Sequence, residues 1–364
     1  MAKKSRESLH SLVFGGKEIA HYFSQLSYGC ESKIEHVGRT TFNDISSIAQ
    51  GKNTDIALVD ADKVFAQFLL SKNYLVLPYV DFVLDISGSF EQIVSRMNRN
   101  RRRIFQRIEE LNYSYENTQD LEKGRFFYHN MYLPHVRERY AESARPLSFG
   151  DFEKHLRKGG LMLVKLESEY VSGILHMRDG DELRALVLGV SGIQEHVADG
   201  AASAPLHFLI SWAKQKGFKR IDYGSTYPFL RDGVFLFKKS WGMQVRPLKE
   251  RHARVLAIKF GNLASAKEFL LENPLIFCDS NRLIGLVFSD SNIKEVGREY
   301  CLSGLSELIV YSSRTEPANI SLGDGEFQFP ESLDAFTRMA SREGLQPYYL
   351  HFSEDEASHE FLRK

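Results

Sequence analysis

Three β-rich runs follow one another with almost nothing between them: LMLVKLE (161–167), YVSGILHMR (170–178) and LRALVLGVSG (183–192). The links between them hold SEY and DGDE, which is turn chemistry, so the runs predict a three-strand meander. That order excludes the strictly alternating βαβ of a doubly wound fold.

The flanking segments extend the pattern. DFVLDIS reads as a strand, Phe90 to Leu111 as one helix, and NYSYEN as a strand. Ser89 caps the helix and Gln92 completes the capping box. Two helices come next: Leu121 to about Tyr140, where Pro134 predicts a kink or break, and Phe149 to Leu156, ended by Gly159 and Gly160. Behind the meander lie an amphipathic helix from Pro205 to Lys216, stopped by Gly217, and the strand KRIDYG. A short helix in DGVFLFKKSWG and closing strands in VRPLKERHARVLAIKF complete the region. The predicted fold class is mixed α/β (α+β): a mixed sheet flanked by helices.

A chain of 364 residues holds two or three domains at ordinary domain sizes. The expected division is an N-terminal α/β domain over 1–84, a central domain over 85–261 and a C-terminal α/β domain over 262–364. In the last, LIGLVFSD, ELIVYSS and PYYLHF read as strands, with helices near NIKEVGREYCL and ESLDAFTRMASREG.

Forty-seven basic residues balance forty-seven acidic ones, so any attraction to nucleic acid or an anionic membrane must come from a local patch. Cys30, Cys278 and Cys301 are odd in number and far apart, with no CxxC pair and no zinc spacing, which fits free thiols in a reducing compartment. No apolar run is long enough for a membrane span, and the N-terminus lacks the apolar stretch of a signal peptide. The expectation is a cytoplasmic protein without a metal. His176 and His207 fit strand and helix patterns and read as core or surface histidines. No Walker loop, GxGxxG, HExxH or GxSxG is present.

DGVFLFKKSWG poses the sharpest local question. On a helix Val234, Phe237, Lys238 and Trp241 share a face, so Lys238 falls inside an apolar stripe. Either its stem packs there and its ammonium snorkels to solvent, or the stripe borders a reaction cleft. Arginines 96, 99, 101, 102, 103 and 107 form the one strong basic patch. That patch is either a solvated helix face or a set of phosphate contacts.

The element order resembles the GNAT acyltransferase fold and, more narrowly, its FemAB-type branch, in which such domains occur in tandem. DFVLDISGSFEQIVSRMNRNRRRIFQRIEELNY, FYHNMYLPHVRERY and GFKRIDYGSTYPFLRDGVFLFKKSWGMQ carry the likeness, over roughly residues 80–260. The resemblance implies an acyltransferase. An acyl group passes from an acyl-CoA-type thioester, or in the FemAB branch from aminoacyl-tRNA, directly onto an amine. The acceptor would be a small-molecule or peptide-linked amine, and tRNA a possible partner; neither DNA nor membrane is implied.

By the same resemblance the donor lies where central strands splay, held by the backbone of Leu188, Gly189 and Val190. An interior glycine such as Gly189 marks a bulge or a close backbone approach. Gly200 and Ala202 match half of the pyrophosphate-binding loop of CoA-dependent members, but Val197 stands where Gln or Arg belongs. Lys238 would offset developing negative charge. Asp222 would orient or deprotonate the amine, or else simply cap the turn that follows it. Tyr132, Arg139, Tyr223 and Tyr227 are the expected acceptor contacts, and Arg103 a phosphate contact. A non-catalytic binding or scaffold module on the same fold is the alternative of another class.

Overall fold

The computed structural model describes residues 10–29, 54–141, 144–192, 200–248, 254–279, 282–313 and 345–351, with isolated positions in 34–48 and 333–341. Cys30, Val197 and most of ESLDAFTRMASREG lie outside the described residues. In chain order the strands are β1 (Ser11–Phe14), β2 (Ile56–Asp62), β3 (Leu75–Pro78), β4 (Val80–Asp85) and β5 (Tyr113–Thr118). The meander is β6 (Gly160–Leu166), β7 (Glu169–Asp179) and β8 (Glu182–Val190), followed by β9 (Arg220–Thr226), β10 (Gln244–Pro247) and β11 (Arg254–Phe260). The last four are β12 (Leu275–Asp279), β13 (Arg282–Phe288), β14 (Glu307–Ser312) and β15 (Gln346–His351).

Among the described residues these strands make a seven-stranded sheet, β10-β4-β9-β8-β7-β6-β5, and two four-stranded sheets, β1-β2-β11-β3 and β12-β13-β14-β15. The mixed α/β class expected from the sequence is what forms. The chain divides into two discontinuous units rather than three successive regions. The first holds Met1–Val80, Ser225–Phe237 and Val245–Lys364; the second holds Asp81–Gly224 and Lys238–Gln244. The expected 1–84 region, as far as Val80, thus shares a unit with 262–364. One core explains this: Leu58 and Leu256 of the first small sheet, Ile284 and Ile309 of the other, and Phe269 between them are all fully buried in one cluster. The expected closing strands also part company. β11 pairs antiparallel with both β2 and β3, which satisfies its backbone groups on both edges, and Val255, Leu256, Ala257 and Ile258 are buried.

In the second unit the meander forms as expected, β6 with β7 and β7 with β8, all antiparallel. Helix Ala204–Gln215 packs across β6 and β7, burying Leu206, His207, Leu209, Ile210 and Ala213.

Two helices depart from expectation. Phe90 to Leu111 is not one helix but two, Phe90–Ser95 and Arg99–Glu110. The Ser89–Gln92 capping box forms, but Asn98 starts a second helix by accepting from Arg101 N–H at 2.9 Å. The Asn98 N–H donates to Ser240 O at 3.0 Å, so the break is also a joint. Near Pro134 the expected segment divides into Leu121–Phe127, Tyr128–Tyr132 and Leu133–Tyr140. Pro134 sits in the first turn of Leu133–Tyr140, and the turn before it, Tyr128–Tyr132, widens to a π-helix in which Leu133 N–H reaches Tyr128 O. Proline removes one i→i−4 bond, and a π turn is a way to absorb that loss.

No helix among the described residues is long and apolar enough to cross a membrane. No group of three His, Cys, Asp or Glu among them is placed to hold a metal ion.

Candidate active site

The second unit's sheet opens at its middle. β8 and β9 are parallel neighbours, yet they pair only from Glu182–Arg220 to Arg184–Asp222. Beyond that, β8 runs on to Val190 and β9 continues through Tyr223 and Gly224 with no further pairing between them. Leu186, Val187 and Leu188 are half-buried, although a strand in the middle of a helix-flanked sheet ordinarily buries its apolar side chains.

A bulge lies at the mouth of this opening. Leu175 pairs with Val187 but His176 pairs with Ala185, so Leu186 is an extra residue in β8. A bulge disrupts the ladder locally and re-aims backbone groups. The expected marker was Gly189, and the structure corrects that. Gly189 pairs in register with Gly173. A Cβ on it would meet Tyr132 N at 2.8 Å and Met131 C at 2.9 Å. The close approach predicted at Gly189 exists, but its partner is the π turn's backbone. Val190 is a core residue with Ile108, Val164 and Val171, and Leu188 leans on the same cluster.

Lys238 and Asp222 converge on one glycine. Gly224 has φ +72; its N–H donates to Asp222 Oδ1 at 2.7 Å, and its carbonyl accepts from Lys238 Nζ at 2.9 Å. The ammonium also stands 5.4 Å from the ring centroid of Phe82 on β4. Lys238 is 8 % exposed and Asp222 7 %, so the lysine is not a snorkelling surface cation. Asp222 has the turn-capping contact that the sequence allowed. Helix Gly233–Ser240 buries Phe235 and Lys238, and Trp241 beyond its end, while Val234 and Phe237 are only half-buried. The apolar stripe is therefore displaced by one residue at its start.

Gly224 is where this geometry can be tested cheaply. A Cβ there would meet nothing within 4 Å, so the penalty of Gly224→Ala is conformational, about 1–2 kcal/mol for a left-handed non-glycine residue. A loss of stability of that size, seen as a lower melting temperature, is the expected outcome of a thermal scan; an unchanged value would show that the turn relaxes freely.

Tyr223 is half-buried. Its hydroxyl is buried without a hydrogen-bond partner among the described residues, and burial pushes its pKa up. Tyr227 belongs to the first unit, where its ring stacks on Tyr22 at 3.8 Å and the Tyr22 hydroxyl donates to Asp232. Tyr132 is not an open acceptor contact: it is buried, and its hydroxyl accepts Leu147 N–H at 2.8 Å. Arg139 is exposed and lies close enough to Arg101 to depress that guanidinium's pKa, after the larger effect of burial. Arg103 is exposed on the helix Arg99–Glu110.

Of the expected pyrophosphate loop, the described residues hold only its end, Gly200 to Ala202. Gly200 has φ +91 and its open side is filled by Ile104, whose side chain lies 3.2 Å from where a Cβ would stand. Ser203 and Ala204 N–H both donate to Gly200 O, and Leu206 and His207 N–H donate to Ser203 O. Pro205 has no N–H to offer. The Ser203 hydroxyl accepts from Arg101 at 3.1 Å. Ala202 is half-buried against the same cluster as Ile104 and Ile108. A helix N-terminus binds phosphate through unused N–H groups, and from Ser203 to His207 these are already engaged.

The basic patch divides in three dimensions: Arg99, Arg103 and Arg107 are exposed, while the other three are engaged within the fold. Arg96 donates to Asp85 O and Arg102 to Ser95 O. Arg101 donates through Nε to Ser240 Oγ at 2.9 Å and through its NH1 group to Ser203 Oγ, with its guanidinium 5.7 Å from the Trp241 ring centroid. Nothing in the sequence singles out Arg101 from its neighbours. Nor does any residue type announce the Leu186 bulge. Gly224 was missed as well, although the Asp-x-Gly spacing of an Asx turn could have marked it.

No family model matches the sequence, and no curated protein matches it. Several solved structures are similar in chain path. FemX shares 14% identity with a TM-score of 0.40, over 70% of this chain and 82% of that one. L-PGS from Bacillus licheniformis shares 16% at a TM-score of 0.37, over 62% and 74%. A GCN5-related N-acetyltransferase from Sphaerobacter thermophilus shares 13% at 0.34, over 56% and 59%.

Proposed function

We propose that the chain is an acyltransferase that forms an amide by direct attack of an amine on a bound acyl donor, in the opening between β8 and β9. The observation that carries this reading is the abrupt end of pairing at Arg184–Asp222 with a bulge beside it. A gap in a sheet offers strand backbone groups to a ligand at no cost in reorganisation, and such preorganised donors favour the charge that develops on a reacting carbonyl. Holding both reactants there supplies much of the remaining rate.

In this reading the amine nitrogen bonds to the donor carbonyl, whose oxygen takes up negative charge. The backbone around Leu186 offsets that charge, with the Lys238 ammonium held against Gly224 of β9. The carbon–oxygen or carbon–sulfur bond to the leaving group then breaks. The amine's proton passes to Asp222 or to solvent, and the leaving group is protonated in turn. Arg139 is the acceptor-side cation, suited to an acceptor carrying a carboxylate or phosphate.

Ile104 standing against Gly200, and the engaged N–H groups of Ser203, Ala204, Leu206 and His207, support an aminoacyl-tRNA donor over acyl-CoA. A thermal-shift series with acetyl-CoA, a longer acyl-CoA and charged tRNA tests this. A donor at a hundred times its Kd raises stability by about 2.7 kcal/mol. Charged tRNA is expected to raise the melting temperature and the CoA esters to leave it unchanged. A shift with acetyl-CoA would reverse the donor assignment. No shift and no turnover with any donor, together with a stable protein partner, would favour a non-catalytic module.

A further inference from the structure

We infer that Arg101 is a positioning residue, which fixes Lys238 by bracing the end of its helix against the start of helix Ala204–Gln215. The inference rests on the proposed function for its catalytic half only. Three separate contacts place the guanidinium: Nε on Ser240 Oγ at 2.9 Å, NH1 on Ser203 Oγ at 3.1 Å, and the Trp241 ring 5.7 Å away. The same joint is closed from the backbone. Asn98 N–H donates to Ser240 O, and Gly242, at φ +71, lies so close to Arg96 O that a Cβ would stand 2.7 Å from it. Trp241 N–H in turn donates to Lys238 O at 3.1 Å. Arg101 thus reaches Lys238 through one residue of backbone, and Lys238 reaches the splayed strand through Gly224.

Stability alone is a poor reason for a guanidinium here. Arg101 lies in the first turn of its own helix and beside the start of another, where the helix dipoles disfavour a cation. Burial and Arg139 both depress its pKa. What the site uses is the planar fork, which spans two hydroxyls at fixed geometry while stacking on a ring. A lysine cannot do this.

The experiment compares Arg101→Lys, Arg101→Gln and Ser240→Ala with the wild type, using whichever donor supports transfer. A displacement of about 1 Å at a reacting centre costs up to roughly a hundredfold. The expected result for both Arg101 variants is a fall in kcat of about tenfold to a hundredfold with KM for the donor nearly unchanged. Ser240→Ala, which removes one leg of the brace, should fall between them and the wild type. Amide exchange supplies the second readout. Trp241 and Gly242 should exchange faster in the Arg101 variants while β6 and β7 keep their protection. If the chain transfers nothing, the proposed function fails, but exchange still decides the brace: unchanged protection at Trp241 and Gly242 overturns it. Wild-type kcat in Arg101→Gln with that protection lost overturns the link to catalysis. If Arg101→Gln does not fold, Arg101→Lys and Ser240→Ala carry both readouts.

Discussion

Replacing Lys238 with methionine is expected to lower kcat by about a hundredfold to a thousandfold, the usual cost of deleting one preorganised donor at a developing oxyanion. Methionine keeps the length of the stem and its packing beside Phe82, so the substitution removes the ammonium and little else. The stability change should be small. The Gly224 carbonyl loses a hydrogen bond, worth about 1 kcal/mol net, but the protein no longer has to bury a charge. Arginine should not rescue activity. Its planar group is bulkier than an ammonium, and the 8 % exposure of Lys238 leaves little room for it. Measuring kcat and melting temperature on the same samples separates the cases. A methionine variant that loses stability but keeps its rate would mean that the ammonium only ties β9 to the Lys238 helix. The reaction would then lack its proposed cation.

That prediction depends on features the sequence displayed unequally. The meander was legible because turn residues punctuate alternating apolar runs, and the Ser89–Gln92 capping box because its spacing is itself the signal. The burial of Lys238 could be anticipated from its place in an apolar stripe. The opening between β8 and β9 could not. Leu186 is an apolar residue in an apolar run, and only the register of β7 makes it a bulge.

Gly189 shows the converse limit. Its composition signal was real, but a glycine reports that something comes close, not what. The arginine patch shows a third limit. Six chemically identical side chains on one stretch differ only in what the folded chain brings to them. Asn98, which divides that stretch and aims Arg101 at Ser203 and Ser240, looks in sequence like one more polar residue. Half a pyrophosphate motif was visible at Gly200 and Ala202, yet the helix that packs against Gly200 lies about a hundred residues earlier in the chain.

Acid should destabilise the second unit well before its carboxylates titrate. His176 and His207 are 3 % and 7 % exposed, and burial lowers both from the usual 6.5 to about 4. His176 lies against Trp212 with its Nε2 3.0 Å from Asn117 Oδ1, and His207 packs on Phe105 with ring centroids 4.1 Å apart. Each is held neutral in the fold but takes a proton in the unfolded chain once the pH falls below about 6.5. Stability is therefore full above that pH and declines between about 6.5 and 4, where the unfolded state binds more protons. A displacement of this size is worth about 3 kcal/mol per histidine, so the pair removes about 6 kcal/mol, comparable with the entire stability of an ordinary domain. His135 shifts in the same direction and adds to the effect. Carboxylates held low, such as Glu116 and Asp85, release their stabilisation only in more acid solution. The chain's two tryptophans suit the measurement: Trp212 touches His176, and Trp241 packs on Phe105, which touches His207. Denaturant melts followed by their fluorescence should show stability falling by about 2–3 kcal/mol per pH unit across this window. His207→Phe should remove roughly half of that slope. A stability that stays level from pH 7 to pH 5 would mean that both imidazoles take up protons inside the fold, and would overturn the prediction.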